Sequence, residues 1–284
     1  MIVSFHPCIE GDKDINCAGR LPTEEELEDV KRARAVILPQ GCSETLYRLC
    51  KARCRHIFPN YDVRFDYPGK TGQAQLFTEL EVPHPRTLII DHPVSFFRDH
   101  IRGISRLPFS WPCVLKTDYG GEGEGVFLLC EPTEVEQLFL RLGLSHEKRS
   151  GKILLQEFIP TGGRSLRVVV VGNRFYSYWR VQKDRNSFYT SVRHGAVIDH
   201  HSDPELQDKA ITSARQFCRK TGINLAAFDF LFGENREPVP LFLEINYYFG
   251  RRGLGGSFNY YRILEEEVRE WCTRVIGSKI HVTL

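Results

Sequence analysis

The sequence of 284 residues has no long hydrophobic run and no large excess of charge of either sign. A membrane-spanning helix needs about 20 consecutive apolar residues, and no segment approaches that length, so association with a membrane is not expected. Lysine and arginine number 38 against 36 for aspartate and glutamate, whereas nucleic-acid binding normally requires a clear basic excess. This composition argues against a nucleic acid as the main ligand but allows a local basic pocket for a small anion.

The sequence also lacks the pattern of a secretory leader and the paired cysteines of an extracellular protein. The apolar segment at residues 1–8 is short and has no basic region before it, unlike a signal peptide. The nine cysteines are odd in number and scattered, as expected of reduced thiols in a cytoplasm. Cys50, Cys54 and His56 form the only cluster, and their spacing fits packed structural residues better than a zinc site. A cytoplasmic location is therefore expected.

Strand and helix patterns alternate over the first 60 residues. Thr23 precedes three glutamates and provides an N-cap with acidic first-turn residues, so a helix is expected to begin there. The predicted strands cover 2–5, 35–38 and 56–58, and the predicted helices cover 23–33 and 43–52. Alternating strands and helices favour parallel pairing, which indicates a small open α/β domain.

The rest of the chain mixes helices with a larger number of strands. Helices are predicted over 69–80, 93–102, 204–220 and 258–275, and strands over 86–90, 113–116, 125–129, 152–158, 166–171, 175–181, 189–198, 226–232 and 241–245. Gly172 and Asn173 fit a hairpin turn between two of these strands. We therefore expect a small α/β domain followed by a larger α+β body.

A lysine and a glycine-rich segment follow one another in the middle of the chain. An apolar strand ends at Lys116, and glycines follow at Gly120, Gly121, Gly123 and Gly125. Lysine offers a compact cation for phosphate, and glycines let backbone N–H groups approach phosphate oxygens. A strand follows these glycines, whereas a dinucleotide-binding fingerprint requires a helix there, and the lysine–serine or lysine–threonine ending of a P-loop is absent. The alternative is a glycine-rich hairpin beside a solvated lysine.

Three oxygen-bearing side chains interrupt two apolar strands near the C-terminus. Asp229 lies in the first strand, and Glu244 and Asn246 lie two residues apart at the end of the second, so the latter two project from the same face. Antiparallel pairing would bring Asp229 beside them. Two carboxylates and an amide form a site for a hard cation, and Mg²⁺ shared with substrate phosphates fits best. The alternative is that both carboxylates pair with arginine or lysine across the sheet, since buried charges need partners.

The order of these motifs resembles that of the ATP-grasp superfamily, specifically its RimK and glutathione-synthetase-like branch. The resemblance covers about residues 60–246 and rests on 70–73, Pro83, Thr87, 114–116, the glycine segment, 155–159, 166–172, Arg180, Asp229 and 244–246. It implies the ATP-grasp fold, α/β plus α+β, in which two α+β subdomains clasp ATP. The implied domains are an N-terminal α/β domain over 1–85, a lid subdomain over 86–160 and a C-terminal subdomain over 161–284.

The resemblance also implies a role for each matching residue. ATP would be held by Lys70 and Lys116 at its phosphates, by a flap containing Gly120, Gly121 and Gly123, and by Gln156, Glu157, Phe158 and Ile159 at its adenine and ribose. The catalytic arginines Arg167 and Arg180 would lie near the γ-phosphate and the acyl-phosphate, and Asp229, Glu244 and Asn246 would bind Mg²⁺ or Mn²⁺. In this family ATP phosphorylates a carboxylate, and an amine then attacks the acyl-phosphate to form an amide.

The sequence departs from the family pattern in three places. Ser165 and Ser191 stand where the family commonly has aspartate and asparagine. The segment 247–257 is aromatic, doubly basic and glycine-rich, whereas the family usually carries a small residue, proline and glycine there. We hypothesise that Arg251 or Arg252 binds the carboxylate of the substrate, because a guanidinium matches carboxylate geometry. The alternative is that both arginines are solvated.

Further residues are candidates at the edge of this site. Arg193 and His194 fall in a predicted strand that could face the acceptor, and His6 ends the first strand, where ligands often bind in open α/β sheets. Tyr178 and Trp179 are expected in the core. The expected partners are small carboxylate and amine substrates, such as an amino acid or a peptide, and a homo-oligomer is compatible with the sequence. The leading interpretation is an ATP-dependent ligase; the alternatives are a phosphotransferase of the same fold and a nucleotide-binding regulatory module without turnover.

Overall fold

In the computed structural model, the described residues form three β-sheets with helices packed on them. The structure describes residues 1–93, 96, 107–118, 124–142, 151–184, 188–233 and 238–277. Gly120, Gly121 and Gly123, and most of the predicted helix over 93–102, lie outside these ranges. The strands of each sheet fall within one of the three predicted domains, and the boundaries at 85 and 160 remain a prediction.

The first sheet is parallel, as the alternation of strands and helices predicts. It comprises β1 (Ile2–Ser4), β2 (Lys13–Asp14), β3 (Ala35–Ile37) and β4 (Ile57–Phe58) in the order β2-β1-β3-β4. The helices of this region are α1 (Glu24–Arg32) and α2 (Glu44–Lys51). Thr23 and Glu26 form a capping box at the start of α1, which satisfies two backbone donors that the helix itself leaves free.

The second sheet is antiparallel and follows two short helices. The elements are α3 (Asp62–Asp66), α4 (Gly69–Glu79), β5 (Thr87–Ile90), β6 (Cys113–Thr117), β7 (Val126–Leu129), α5 (Pro132–Leu142) and β8 (Ile153–Glu157). The strand order is β5-β8-β6-β7. Leu115 and Leu155 of the sheet pack with Val135 of α5 in one buried cluster. This part of the chain therefore has a hydrophobic core of its own.

The third sheet is the largest and is antiparallel throughout. It comprises β9 (Arg164–Val171), β10 (Arg174–Val181), β11 (Val197–Asp199), β12 (Leu225–Leu231) and β13 (Leu241–Asn246) in the order β11-β10-β9-β12-β13. Two long helices accompany it, α6 (Pro204–Thr221) and α7 (Ser257–Ile276). Val168 and Val170 of β9 enter one core, and Val169 and Val171 enter the other. Burial on both faces explains the unbroken valine run in the sequence.

Helix α7 covers only the apolar half of one sheet face. Tyr260 and Leu264 of α7 share a core with Val169 and Val171 of β9. Arg167 projects from the same face as these valines, because side chains two residues apart share a face, and it lines a cleft instead of the core. The sheet therefore presents polar side chains on the part of this face that the helix leaves uncovered.

The structure corrects one predicted strand. Residues 189–198 are not a continuous strand, because Val192–His194 form a 3₁₀ turn and Gly195 then adopts φ 90°, a conformation that favours glycine. Only Val197–Asp199 pair with β10. The sequence analysis also missed α3, α5 and β2; the last consists of two exposed residues, too few to give an alternating pattern.

Candidate active site

Four side chains form a row across the third sheet. Tyr178, Arg167, Asp229 and Glu244 stand directly opposite one another on β10, β9, β12 and β13. Directly opposite residues of antiparallel strands project from the same face and interact. The row therefore places two carboxylates side by side, with a guanidinium on the far side of Asp229.

An irregularity in β13 brings Glu244 into this row. Phe230 pairs with Phe242, but the next residue of β12, Asp229, pairs with Glu244, so the register shifts by one residue at Leu243. Without the extra residue Leu243 would oppose Asp229, and Glu244 would point to the other face. The bulge therefore places the Glu244 carboxylate on the same face as the Asp229 carboxylate.

Gln73 of α4 fixes the edge strand on which Glu244 lies. Its Nε2 donates to the carbonyl of Ile245 at 2.9 Å, and its Oε1 accepts from the N–H of Ile245 at 2.8 Å. The side-chain amide therefore satisfies both backbone groups as a neighbouring strand would. Because Ile245 lies between Glu244 and Asn246, this clamp holds both predicted metal ligands in position.

Asp229 is the most heavily paired residue of the row and is only 3% exposed. Arg167 donates from Nε to Oδ1 at 2.7 Å and from Nη2 to Oδ2 at 2.8 Å, the bidentate geometry of strong charge-assisted pairs. Arg180 Nη2 lies 3.1 Å from Oδ2, and Asn246 Nδ2 donates to the same oxygen at 3.1 Å. The cross-sheet pairing considered as an alternative is therefore present at Asp229.

Burial and ion pairing shift the pKa values of Asp229 and Arg180 in opposite directions. Burial alone would raise the pKa of Asp229, but Arg167 and Arg180 hold that pKa below its usual range. Burial, together with the neighbouring Arg167, lowers the pKa of Arg180 despite the Asp229 charge. Arg180 Nη2 also donates to Ser165 Oγ at 2.8 Å. Because Ser165 is a neutral hydroxyl, Arg167 and Arg180 share the single carboxylate of Asp229, and these three side chains keep a positive charge.

Glu244 differs from Asp229 in its lack of partners. Within the described part of the chain its carboxylate accepts no hydrogen bond. Burial and the adjacent Asp229 charge raise the pKa of Glu244, and a bound cation would stabilise the ionised form. The amide of Asn246 lies two residues further along the strand. This donor set fits Mg²⁺ or Mn²⁺, because such ions are held by one or two carboxylates together with substrate phosphates.

The cluster is not a metal centre built from protein ligands alone. Among the residues that the structure describes, no three His, Cys, Asp or Glu side chains are placed to hold a metal ion. Asp229, Glu244 and Asn246 supply only two carboxylates and an amide, so Mg²⁺ would need phosphate or water oxygens in addition. Cys50 and Cys54 are buried in a hydrophobic core cluster.

Lys116 is buried at the end of β6, with 8% of its surface exposed. Its Nζ donates to Gln156 Oε1 at 2.7 Å, and Gln156 Nε2 donates to Thr87 Oγ1 at 2.9 Å. This chain of hydrogen bonds crosses three neighbouring strands and fixes the ammonium group. Burial lowers the pKa of Lys116 to about 8, since the group it contacts is a neutral amide. A phosphate would provide the missing countercharge.

Lys70 is positioned at the start of α4. Its Nζ donates to the carbonyl of Thr117 at 3.3 Å. Asp118 accepts from Thr71 N at 2.9 Å and from Thr71 Oγ1 at 3.0 Å, and so caps α4 from another element. Gly69 has φ 71°, and a Cβ there would collide with the Asp118 carboxylate. Asp118 therefore joins α4 to β6; sequence analysis gave it no role, because the capped residue lies 47 positions away.

One cleft with a volume of about 1240 Å³ brings the predicted residues together. The described residues that were assigned to ATP, to the metal or to catalysis all line it: Lys70, Lys116, Gln156, Glu157, Phe158, Ile159, Arg167, Arg180, Asp229, Glu244, Asn246, Arg251 and Arg252. Val114, Val126 and Leu243 add apolar surface. Mostly apolar walls with a few convergent polar groups are typical of small-molecule sites. The individual roles of these residues remain predictions.

The predicted adenine and ribose segment contains an ion pair. Arg86 donates from Nε to Glu157 Oε2 at 3.0 Å and from Nη2 to Glu157 Oε1 at 2.8 Å. A ribose hydroxyl that binds Glu157, as the resemblance implies, would have to share this carboxylate with Arg86. The Gln156 side chain is likewise engaged, with Lys116, so a contact between Gln156 and adenine would use the backbone of the segment, as the resemblance implies.

The segment 188–193 lines the cleft as a loop instead of a strand. Tyr189 donates from its hydroxyl to the carbonyl of Val126 in β7 at 2.8 Å and so joins this loop to the second sheet. The ring of His194 stacks on Tyr189 with 4.6 Å between centroids. Arg193 lines the cleft as predicted, whereas His194 stacks on Tyr189 and is not among the lining residues.

Arg251 and Arg252 line the cleft just before α7. The Arg251 guanidinium carbon lies 4.8 Å from the ring centroid of Tyr260 and 4.5 Å from that of Tyr261, within the range of cation–π attraction. His6 makes an edge contact with Tyr261, with 6.2 Å between ring centroids. Burial and Arg251 lower the pKa of His6 to about 4, so this imidazole is neutral at pH 7, and it does not line the cleft.

The sequence of the region that builds this cleft matches a family model. The model of the RimK-like ATP-grasp domain matches residues 69–257, which is about two thirds of the chain. The chain belongs to the RimK-like ATP-grasp family. The match begins at α4, which carries Lys70, and ends at the start of α7. The family and fold predicted from the sequence are therefore confirmed.

Two curated proteins are similar to this RimK-like ATP-grasp protein. A probable α-L-glutamate ligase from Alkalilimnicola ehrlichii is 28% identical over 174 residues, which are 58% of this chain and 54% of that protein. An uncharacterized protein from Mycoplasma pneumoniae is 26% identical over 139 residues, which are 49% of this chain and 44% of that protein. The chain thus spans about half the length of the curated relatives it matches.

Solved structures share the fold at low sequence identity. A RimK-domain ATP-grasp protein from Sphaerobacter thermophilus has a TM-score of 0.58 and 16% identity, with 93% of this chain and 97% of that chain covered. The D-alanine–D-alanine ligase of Bacillus anthracis, solved in complex with ATP, has a TM-score of 0.59 and 12% identity, with 92% and 87% covered. In the described part of the chain, no helix has the length and apolarity to cross a membrane.

Proposed function

We propose that this RimK-like ATP-grasp protein is an ATP- and Mg²⁺-dependent carboxylate–amine ligase. It transfers the γ-phosphoryl group of ATP to a carboxylate and then replaces phosphate with an amine, so that ADP, phosphate and an amide are released. The single observation that carries the proposal is one cleft that combines the cations Lys70, Lys116, Arg167 and Arg180 with the carboxylates Asp229 and Glu244 and the amide Asn246. The probable glutamate ligase among the relatives and the structural likeness to a D-alanine–D-alanine ligase support the same class of reaction.

The charges in the cleft suit the first step. A carboxylate that attacks a triphosphate brings several negative charges together, and positioned cations offset that repulsion. Arg167 and Arg180 share a single carboxylate and keep a net positive charge, and Lys116 has only a neutral amide as its partner. Mg²⁺ held by Asp229, Glu244 and Asn246 would neutralise phosphate oxygens. Loss of one such group typically lowers the rate by about 10²- to 10³-fold.

The reaction needs no serine or cysteine nucleophile. The carboxylate oxygen attacks the γ-phosphorus, the bond from phosphorus to the bridging oxygen of ADP breaks, and ADP leaves with its electron pair. The amine nitrogen then attacks the acyl carbon, the carbon–oxygen bond to phosphate breaks, and the nitrogen loses a proton. Within this scheme Arg251 or Arg252 binds the reacting carboxylate, since both line the cleft and neither is paired with an acid in the described structure.

The proposal is tested by product analysis with the full chain. The protein is incubated with ATP, Mg²⁺ and pairs drawn from amino acids and small peptides, and ADP and phosphate are measured. Hydroxylamine is added to capture the activated acyl group as a hydroxamate. We expect ADP release that depends on one carboxylate, and a hydroxamate formed from that same carboxylate. Glu244→Gln keeps the shape of the side chain and should abolish the metal-dependent release of ADP.

Two outcomes would contradict the proposal. Phosphate that stays on the organic product would make the protein a phosphotransferase, the alternative that the additional arginines favour. Thermal stabilisation by ATP without release of ADP in any substrate mixture would instead make it a nucleotide-binding module. Changes in KM for the carboxylate in Arg251→Ala and Arg252→Ala would then identify the arginine that binds it, and unchanged values in both would rule out that role.

A further inference from the structure

A second cavity, with a volume of about 750 Å³, adjoins the ATP cleft. Gln40 and Arg64 line it from the N-terminal part of the chain, and residues 245–252 and 256–257 line it from the C-terminal part. Asn246 and residues 248–252 line both cavities. This segment is therefore the wall between them, and the end of the second cavity reaches a predicted metal ligand.

The second cavity is positively charged. Arg64, Arg251 and Arg252 line it, and none of its described lining residues is acidic. These three arginines form no ion pair with any carboxylate of the described residues. Cations gathered around one concave site focus the potential and raise the local concentration of anions. Sequence analysis considered the last two arginines but gave Arg64 no role, because nothing in its local sequence distinguishes it from a surface arginine.

Aromatic rings hold Arg64 in place. Its guanidinium carbon lies 4.8 Å from the ring centroids of Tyr61 and Phe65 and 5.2 Å from that of Tyr248. Nη1 donates to the carbonyl of Cys42 at 3.3 Å. A guanidinium has five N–H donors in a fixed plane, so this single bond leaves most of them for a ligand. The side chain is thus preorganised and retains the capacity to bind a carboxylate in bidentate fashion.

The wall between the cavities is tied to the N-terminal part of the chain. Tyr248 donates from its hydroxyl to the carbonyl of Gly41 at 3.0 Å, and Gln40 Nε2 donates to the carbonyl of Tyr247 at 3.1 Å. A Cβ at Gly41 would collide with the Tyr248 ring, so only glycine permits this contact. A site whose walls are already fixed loses less entropy on binding.

We propose that the second cavity binds a distal carboxylate of the substrate, and that the substrate is a small molecule with at least two carboxylates. Arg64 binds the distal carboxylate, while the other carboxylate reaches past Asn246 to the phosphates of ATP. Arg64 is then a specificity-determining residue that distinguishes a dicarboxylate from a molecule with one acidic group. This inference rests on the proposed ligase function and adds to it the class of substrate.

The test compares ligands that differ only in the distal group. Full-length protein is loaded with Mg²⁺ and a non-hydrolysable ATP analogue, and calorimetry measures the binding of L-glutamate, L-aspartate and glutarate against L-glutamine, L-asparagine and the monoamide of glutarate. The affinity for at least one dicarboxylate should be higher than that for its amide by a factor of about ten or more, as expected for a charge-assisted bidentate contact. Arg64→Gln should bring the two affinities together, and Arg64→Lys should restore part of the difference.

A matched control uses an arginine that also stacks on a ring but lies outside both cavities. Arg215 is such a residue, with its guanidinium carbon 5.1 Å from the ring centroid of Phe175. Arg215→Gln should keep the wild-type preference. Equal binding of acid and amide by the wild type, no binding of any dicarboxylate, or an unchanged preference in Arg64→Gln would each overturn the inference. Tighter binding of O-phospho-L-serine than of glutamate would also overturn it, since the cavity would then recognise phosphate.

The two proposals fail in different ways. ADP release and hydroxamate formation with monocarboxylates as readily as with dicarboxylates would leave the ligase intact and overturn only the role of Arg64. Absence of ADP release with every carboxylate and amine, in a protein that still binds the ATP analogue, would instead overturn the ligase itself.

Discussion

The two cavities on either side of the segment 246–252 differ in whether their charged side chains are paired with opposite charges. In the ATP cleft, Asp229 is buried and its carboxylate is paired with Arg167 and Arg180. In the second cavity, Arg64 and Arg251 face aromatic rings and have no acidic partner within the described residues. Internal pairs stabilise and orient a site, whereas unpaired but immobilised cations leave the countercharge to be supplied by a ligand. The Asp229 pairs therefore stabilise the shape of the ATP cleft, whereas the arginines of the second cavity leave their countercharge to a ligand.

The largest effect is expected for Asp229→Asn, which removes the buried ion pairs of the ATP cleft. The isosteric amide would leave two buried guanidinium groups without a countercharge, and removal of one partner from a buried pair typically costs about 3–5 kcal/mol. We expect a loss of that size in the free energy of unfolding, measured by urea denaturation, together with loss of metal-dependent ADP release. A loss below about 1 kcal/mol, the usual limit for exposed pairs, would show that the Asp229 pairs do not hold the site together.

Glu244→Gln is the matched control for that variant, because it removes the neighbouring carboxylate without breaking an ion pair. The charge of Glu244 is opposed by Asp229 and by burial, so its removal should leave the free energy of unfolding unchanged or raise it by up to about 1 kcal/mol. ADP release should be lost nonetheless. A destabilisation comparable with that of Asp229→Asn would contradict the distinction drawn between the two carboxylates.

Lys116 extends this comparison within the ATP cleft, because it is a buried cation whose hydrogen-bond partner is a neutral amide. Its pKa of about 8 is set by burial, and a bound triphosphate would raise that pKa again. Above pH 8 ATP binding should therefore take up as much as about one proton, and the affinity should fall as pH rises, by at most about tenfold per pH unit. Calorimetry in buffers of different ionisation enthalpy measures this uptake.

The control variant for Lys116 keeps the positive charge but does not lose its proton in the pH range of the experiment. Lys116→Arg remains cationic throughout the range, so its affinity for ATP should no longer depend on pH between 8 and 9.5. Heats of binding that are independent of the buffer in the wild type would mean that Lys116 is already protonated or does not contact the phosphates.

The resemblance of the ordered motifs predicted the fold, and the described side chains that it assigned to the ATP cleft lie together there, while their individual roles stay predictions. The alternation of strands and helices predicted the parallel first sheet, and the spacing of Glu244 and Asn246 predicted their common face. The bulge at Leu243 and the clamp by Gln73 were not predictable, since both depend on pairing between distant segments. The predicted strand over 189–198 was wrong, because a glycine with positive φ interrupts its apolar and aromatic residues.

Arg64 shows why the second cavity could not be predicted from the sequence. It lies in a short helix that the sequence analysis did not predict, and its ring partners come from three places in the chain, namely Tyr61 and Phe65 nearby and Tyr248 far away. The cavity exists only because residues near 40 and 64 meet the segment before α7. The identity of a binding residue of this kind follows from tertiary structure alone.

The smallest expected effect concerns the stacking that immobilises Arg251. Tyr261→Leu removes one of its two rings, and cation–π pairs at accessible sites contribute about 0.5–1 kcal/mol. We expect a loss of that size in unfolding free energy and a rise of about two- to fivefold in KM for the carboxylate, with KM for ATP unchanged. Phe175→Leu removes the ring under Arg215, so it should lower stability similarly and leave both KM values unchanged. Equal effects of the two variants on stability, with no change of KM in either, would mean that Arg251 needs no aromatic support to bind its ligand.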